Sequence, residues 1–323
     1  MRSATPMRFV VGLAALVLLA ACTGEPSDPQ ADIETTPPTT REASPETTSL
    51  GETGSTIIGP DGRRAELRAP SGVDAPAPLL IALHGYWMTP DELEELFALG
   101  DQATSRGMYL LLPTGTAEAE NGRLFWNASS ACCDYLRTGV DDVAYLEALL
   151  DEAVAVRPID PARVFVFGYS NGGFMAYRLA CESADRIAAM VVVAGADADQ
   201  DIQCRPDGQV SIRHLHGDAD RDVSYDGGTL RSPEIPDPPP YPGARETVER
   251  WADRNGCGSG MTDSADLDLI PSIQGAETEL VGFLDCDDGV AVELGTMRGA
   301  AHEPGLAGDA VGVAIVDWLL ATG

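Results

Sequence analysis

The sequence predicts an α/β domain in which a mostly parallel central sheet carries helices on both faces. Three observations predict it. Several short runs are apolar at every position, among them PLLIALHG (78–85), MYLLLP (108–113) and AAMVVVAG (188–195), which is the pattern of strands buried on both faces. Segments with helical spacing separate these runs. The alternation continues to the end of a 323-residue chain that is 44% hydrophobic, enough to bury a large core. One domain is read over 55–323, without internal repeats.

Two segments precede it. Arg2 and Arg8 flank the start of an apolar run, Phe9 to Ala21, that is too short for a typical membrane span. Residues 1–21 therefore read as the signal peptide of an exported protein. Leu19-Ala20-Ala21-Cys22 resembles a bacterial lipobox, which implies cleavage before Cys22, acylation of its thiol and a membrane partner through that lipid. The protein would then sit in the cell envelope or outside the cell. The competing reading is an ordinary secretory signal with a chance cysteine. Residues 22–54 hold Thr, Pro, Glu, Ser, Asp and Gly, with Ile33 and Leu50 as the aliphatic residues beyond alanine. Such a segment buries too little to offset its ordering entropy and is expected to be a disordered tether, with a reach of roughly 30 Å.

Within the domain, RRAELRA (63–69) reads as an exposed strand and 78–85 as a buried one. Thr89-Pro90-Asp91-Glu92 is a capping box with proline in the first turn, opening a helix to about Ser105. A strand at 108–113 leads into a long loop, 114–140, with Trp126, Cys132 and Cys133. Asp141 and Asp142 fit the N-terminus of a helix over 141–156. The strand 163–167 and its following helix come next, then strands at 188–195 and 210–217 and a Pro-rich loop at 232–242. A helix around Glu246–Arg254, strands near 278–283 and 290–297, and a terminal helix at 310–321 complete the order.

Charge excludes one function class. The chain has 51 acidic residues against 21 basic ones, all arginine, for a formal net charge of −30. A nucleic-acid partner needs a basic footprint, so none is expected; the surplus reads as a solvated acidic surface. Export makes the six cysteines beyond Cys22 disulfide candidates. Six cysteines allow 15 pairings, which sequence does not resolve. Cys132 and Cys133 are not expected to pair with each other, because a trans peptide sets their Cα atoms about 3.8 Å apart, below the usual disulfide range. No Cys/His cluster has zinc-ligand spacing, and neither a metal nor an organic cofactor is expected.

The chemistry centres on Gly168-Tyr169-Ser170-Asn171-Gly172, a G-x-S-x-G pentapeptide. Chance supplies about 0.2 copies in a chain of this composition, so the motif alone is weak. Its setting is not: a buried strand precedes it and a helix follows, as a nucleophile on a sharp strand-to-helix turn requires. The alternative is a Ser/Asn helix cap after a glycine turn. A serine hydroxyl needs a base, and the base an orienting carboxylate, here in the chain order Ser, Asp/Glu, His. Of the four histidines, His84 precedes the serine, His214 and His216 lie on the strand before the acid loop, and His302 alone follows both. The acid comes from HGDADRDVSY, where Asp218, Asp220 and Asp222 all qualify. Backbone N–H donors for the oxyanion are expected at Asn171, next to the nucleophile, and at Tyr86, with Trp87 possible in its place.

These segments together resemble the secreted esterase family of polyhydroxybutyrate depolymerases and feruloyl and acetylxylan esterases, which has the α/β-hydrolase fold. LHG (83–85), WN and CC (126–133), VDDVAYL (140–146), GYSNGG (168–173), HGDAD with VSY (216–225), WADRNGC (251–257) and GAAHEPG (299–305) carry the resemblance across nearly all of 55–323. It implies Ser170 as nucleophile, His302 as base and Asp220 as acid. Asp220 matches the second aspartate of the family's His-Gly-x-x-Asp segment; Asp222 and then Asp218 are the fallbacks. It also implies a Cys257–Cys286 disulfide, an addition of about 3 kcal/mol if unstrained, and structural roles for Asp141 and Asp142. The sequence departs from the family pattern at Asp218, Ser224, Ala300 and Ala301. Tyr86, Trp87 and Trp126 are expected to make the pocket mouth aromatic, with Trp87 and Trp126 touching substrate. The expected activity is hydrolysis of a small or oligomeric carboxylic ester through an acyl-enzyme. Acyl transfer to a cell-envelope alcohol by the same residues, and a non-catalytic binding lipoprotein on this scaffold, are the rival readings.

Overall fold

The apolar runs become the middle of one ten-stranded sheet in a computed structural model of the chain, which describes residues 54–323 apart from 74, 198–207, 232–236, 259 and 307. The signal peptide, Cys22 and all but the last residue of the tether lie outside the described residues. In chain order the elements are β1 (Ser55–Ile58), β2 (Ala65–Arg68), β3 (Ala77–Leu83), α1 (Pro90–Phe97), α2 (Leu99–Ser105) and β4 (Tyr109–Pro113). The short strands β5 (Thr116–Ala117) and β6 (Leu124–Phe125) follow, then α3 (Asp142–Val156), β7 (Ile159–Tyr169), α4 (Asn171–Glu182), β8 (Ala189–Val193) and β9 (Ser211–Gly217). The rest are β10 (Gly227–Gly228), β11 (Tyr241–Pro242), α5 (Ala244–Arg254), β12 (Met261–Asp263), β13 (Thr278–Phe283), β14 (Val292–Met297) and α6 (Gly308–Thr322).

The strand order is β1-β2-β4-β3-β7-β8-β9-β14-β13-β12. The six central strands, from β4 to β14, pair in parallel, and the outer strands on both edges pair antiparallel. Helix crossovers explain the centre, since parallel neighbours need a long connection that returns over a face of the sheet. Every residue of β3, β4 and β8 is buried, as two covered faces require. One face packs against α3 and α4 through residues such as Leu146, Leu149, Phe174 and Tyr177; the other packs against α1, α2 and α6 through Phe97, Ile315 and Leu319.

Three expectations are corrected. The helix from 90 is not continuous to 105: Ala98 takes a left-handed conformation (φ 50°) that ends α1 and starts α2. The Glu94 carboxylate compensates by accepting the Gly100 N–H at 2.7 Å. The capping box is present as expected, with Thr89 and Glu92 satisfying each other's backbone N–H. The loop 114–140 contains the β5–β6 ladder, which returns the chain towards α3. Most consequentially, Cys132 and Cys133 are bonded to each other. The expectation assumed a trans peptide, whereas the bond between them is cis and their Cα atoms are 3.0 Å apart. The Cys257–Cys286 disulfide is present.

Candidate active site

The strand β7 ends at Tyr169 and α4 starts at Asn171, so Ser170 alone makes the turn. It does so at φ 54° and ψ −119°, a conformation that costs a non-glycine residue about 1–3 kcal/mol. Its N–H donates to the Val193 carbonyl at 2.9 Å, which ties the turn to β8. The flanking glycines are obligatory on steric grounds. A Cβ at Gly168 would lie 2.2 Å from the Gly172 carbonyl oxygen, and one at Gly172 would lie 2.0 Å from the Leu83 oxygen on β3. The tight approach lifts the serine above the carboxyl edge of the sheet, at the head of a helix whose first N–H groups have no intrahelical partner.

Two loops from the same edge meet it. Asp220 follows β9, and His302 follows β14, the parallel neighbour of β9. The loops are laced together: Asp218 N–H donates to the Met297 carbonyl, Ala219 N–H to the Ala300 carbonyl, and Gly299 N–H to Asp218 Oδ1 at 2.6 Å. His302 Nε2 is 2.9 Å from Ser170 Oγ, and His302 Nδ1 is 2.8 Å from Asp220 Oδ2. Asp220 Oδ1 accepts the N–H groups of Asp222 and Val223, both at 2.9 Å. Burial raises the proton affinity of this carboxyl, but hydrogen bonding from His216 and His302 outweighs it and holds Asp220 well below the usual carboxylate range. Of the three acid candidates, Asp220 is the one in contact with His302; Asp218 caps the His302 loop instead.

Asp220, Asp222 and His302 also form a group whose ligand atoms lie within 4.8 Å of one another. Both oxygens of Asp220 and both nitrogens of His302 are already engaged in the bonds above, so a cation would have to displace them.

Ser170 and His302 open onto a cavity of about 980 Å³. Its walls include Tyr86, Trp87, Tyr135 and Leu136 on one side and Arg221, Val223 and Tyr241 from the later loops. Trp87 is half exposed, stacks on Tyr86 and lies under the Arg123 guanidinium at 3.6 Å. Tyr86 is steered by its hydroxyl, which donates to the buried Glu118 carboxylate at 2.5 Å, and burial together with this bond pushes the phenol well above its ordinary range. The Trp87 N–H is committed to the Leu124 carbonyl at 2.8 Å. Among the described residues the N–H groups of Tyr86 and Asn171 meet no hydrogen-bond acceptor.

Trp126 is not where the sequence placed it. It is fully buried beneath the site, with its indole N–H donating to the His84 carbonyl at 3.0 Å and its backbone clasped by the Asn171 amide side chain. A tryptophan in a long loop reads as a surface aromatic, but here the loop folds under β3 and α4. The Asn171 side chain also reaches Cys132 Sγ at 3.4 Å, so the residue after the serine anchors both Trp126 and the cysteine pair that lines the cavity. Asp141 caps α3 through the Ala144 N–H, and the buried Asp142 pairs with Arg63 while accepting the Asn127 N–H at 2.6 Å.

Three other contributors escaped sequence reasoning. The Tyr169 hydroxyl donates to the His302 carbonyl at 3.0 Å and its ring stacks beside the imidazole; an aromatic in the second position of the pentapeptide was the available signal. Glu118 gave none, being one acid among many. His84 is buried, donates from Nδ1 to the Gly85 carbonyl at 2.8 Å and accepts the Gly115 N–H at Nε2, and burial lowers its pKa to about 4. It braces the loop carrying Tyr86 rather than meeting substrate.

A strand–serine–helix turn, the doubly covered parallel sheet and a histidine bridging serine and carboxylate define the class: a serine esterase of the α/β-hydrolase fold. The comparisons agree. The Dienelactone hydrolase family model matches residues 133–231. The chain is 31% identical to the putative esterase NocK of Nocardia uniformis subsp. tsuyamanensis, covering 91% of this chain and 88% of that protein. It is 28% identical to feruloyl esterase B of Piromyces equi over 75% of this chain, though over only 43% of that longer protein. It is 31% identical to poly(3-hydroxyalkanoate) depolymerase C of Paucimonas lemoignei over 39% of this chain and 30% of that one. The acetyl xylan esterase of Aspergillus awamori has the same fold, with a TM-score of 0.58 at 15% identity over 82% of this chain and 98% of that one. The chain belongs to the esterase family represented by NocK and these relatives, and is a carboxylic-ester hydrolase of the serine type.

Proposed function

We propose that this protein hydrolyses carboxylic esters by a two-step acyl-enzyme mechanism carried by Ser170, His302 and Asp220. The observation that supports it most is the unbroken contact from Ser170 Oγ to His302 Nε2 and from His302 Nδ1 to Asp220, at 2.9 and 2.8 Å. His302 Nε2 takes the hydroxyl proton as Oγ attacks the ester carbonyl, and Asp220 holds the Nδ1–H tautomer and stabilises the imidazolium. The N–H groups of Asn171 and Tyr86 receive the oxyanion, each contributing about 3–4 kcal/mol by analogy with other oxyanion donors. His302 then protonates the departing alcohol. Water, activated in turn by His302, releases the acid and restores the serine.

The cavity favours an ester with an apolar or aromatic portion, because Tyr86, Trp87, Tyr135 and Leu136 form one wall beside Ser170. Trp87 is the substrate contact in this reading; Trp126 is not. A panel of aryl, acetyl and 3-hydroxybutyryl esters, run on the wild type and on Ser170→Ala, tests it. Turnover of at least one ester class is expected, with loss of about 10⁴-fold or more in the variant; a Ser170→Ala protein with undiminished turnover would overturn the assignment. Acceptor alcohols added to the same assay measure transfer against hydrolysis.

The signal peptide, the tether and acylation at Cys22 rest on the sequence of residues 1–54. Among the described residues no helix is long and apolar enough to cross a membrane. Expression of the full chain and of Cys22→Ala in a bacterial host distinguishes the outcomes. Retention of the wild type in the membrane fraction and release of the variant supports the lipoprotein, and equal partitioning rejects it.

A further inference from the structure

Two buried histidines lie directly behind the acid and have no part in the mechanism above. His214 and His216 alternate along β9, so their side chains share one face of the strand, and both are fully buried. With Tyr177 of α4 they form a row. The Tyr177 hydroxyl is 2.7 Å from His214 Nδ1, His214 Nε2 is 3.0 Å from His216 Nδ1, and His216 Nε2 is 2.8 Å from the Val223 carbonyl and 3.4 Å from Asp220 Oδ2.

The chemistry of the partners assigns every hydrogen in that row. A carbonyl oxygen only accepts, so His216 Nε2 carries the proton that it donates to Val223. In a neutral ring its Nδ1 is then the acceptor, and His214 must donate from Nε2. His214 Nδ1 in turn accepts from the Tyr177 hydroxyl. A doubly protonated His216 would reverse the first two links and leave the Tyr177 hydrogen without an acceptor among the described residues. Burial also disfavours charge on His214, whose pKa is pushed well below its ordinary value. With neutral rings each donor points the same way, from α4 through β9 to the acid.

We propose that Tyr177, His214 and His216 are positioning residues that hold Asp220 for its work on His302. The inference rests on the reading of Ser170, His302 and Asp220 as the catalytic group. Two contacts do the holding. His216 pins the Val223 carbonyl, while the Val223 N–H donates to Asp220 Oδ1, so one peptide is clamped between ring and carboxylate. The same His216 N–H faces Asp220 Oδ2, the oxygen that accepts from His302. It shares that oxygen's charge and keeps the His302–Asp220 bond from tightening. Aligned donors polarise one another, so the Tyr177 hydroxyl strengthens the effect from the far end. The row also couples the helix that follows Ser170 to the loop that delivers the acid, although each comes from a different part of the chain.

The test is ¹⁵N and ¹H magnetic resonance of ring-labelled histidine in the full chain at neutral pH, with kinetics alongside. In the wild type, His214 and His216 are expected as neutral Nε2–H tautomers. Tyr177→Phe, which keeps the ring packing, moves the His302 Nδ1–H proton downfield, because Asp220 Oδ2 is then shared less. His216→Leu moves it further and lowers kcat about tenfold with KM within about twofold, whereas His216→Gln, which retains an N–H donor, recovers most of that loss. An Nδ1–H tautomer or a charged ring at either position in the wild type overturns the proposal. So does a His302 proton resonance unchanged in Tyr177→Phe, a measurement that stands even where His216→Leu does not fold. The resonances need no turnover: absent ester hydrolysis with the tautomers as expected would sink the esterase mechanism alone, and active enzyme with the wrong tautomers would sink this proposal alone.

Discussion

The turn at Ser170 and the pair of loops carrying Asp220 and His302 are held in opposite ways. The turn is built from a contiguous stretch, 168–173, whose shape follows from backbone sterics against β3 and β8: two glycines where any Cβ would collide, and a serine at φ 54°. The loops have no such local compulsion. Asp220 and His302 are 82 residues apart and are set by links across that gap, through Asp218 to Gly299, Ala219 to Ala300 and Tyr169 to the His302 carbonyl. The serine is thus placed by short-range geometry, whereas its contact with His302, and through it Asp220, depends on links between distant segments.

Three measurements break or sharpen this contrast. The largest effect is expected at the turn. Gly172→Ala puts a methyl 2.0 Å from a backbone oxygen that no side-chain motion can relieve, so stability falls by about 4 kcal/mol in urea unfolding and activity is lost with it. A variant as stable as wild type would show that the turn is not sterically determined.

Next in size is a pH effect on stability from the braced loop under Tyr86. Burial lowers the pKa of folded His84 to about 4, against an ordinary value of 6.5. Above pH 6.5 it is neutral in both states and its full contribution is present. As pH falls from 6.5 to about 4 the unfolded chain binds the proton first, so stability drains away by about 3 kcal/mol and then levels off for this group. Asp220, whose pKa is depressed, adds a separate loss only as pH falls below its unfolded value. Urea midpoints measured across that range check the sign; a rise in stability on acidification to pH 4 would refute it.

The smallest effect is expected where the two regions touch. Tyr169→Phe removes the hydroxyl that holds the His302 carbonyl and leaves the stacked ring. One such bond is worth about 1 kcal/mol, so kcat falls about fivefold while KM and the melting temperature change little. Unchanged kcat would mean that the lacing through Asp218 and Ala219 suffices to hold the loop.

Much of the fold was legible because covered parallel strands must be apolar at every position, and the runs at 78–85, 108–113 and 188–195 are. The break at Ala98 was not, since alanine is a strong helix former and its left-handed turn depends on Glu94 reaching forward to Gly100. In the site, Ser170 was legible from its glycines and His302 from chain order. Asp220 needed the family resemblance, because three aspartates sit on the same short loop and only the direction each faces separates them. Trp126 was misplaced because composition tells that a ring will be buried or exposed only through what folds over it.

What the sequence determined by itself was therefore the set of short-range features: which runs are strands and where the serine turn lies. What only the tertiary structure decided was the identity of contacts made across the chain. Asp220 rather than Asp218 faces the imidazole, Cys132 bonds its neighbour across a cis peptide, Trp126 lies beneath the site, and two histidines line up behind the acid. Local sterics act between residues that are adjacent in any conformation and so leave a mark in sequence. Hydrogen bonds between distant loops exist only after the sheet has brought its carboxyl edge together.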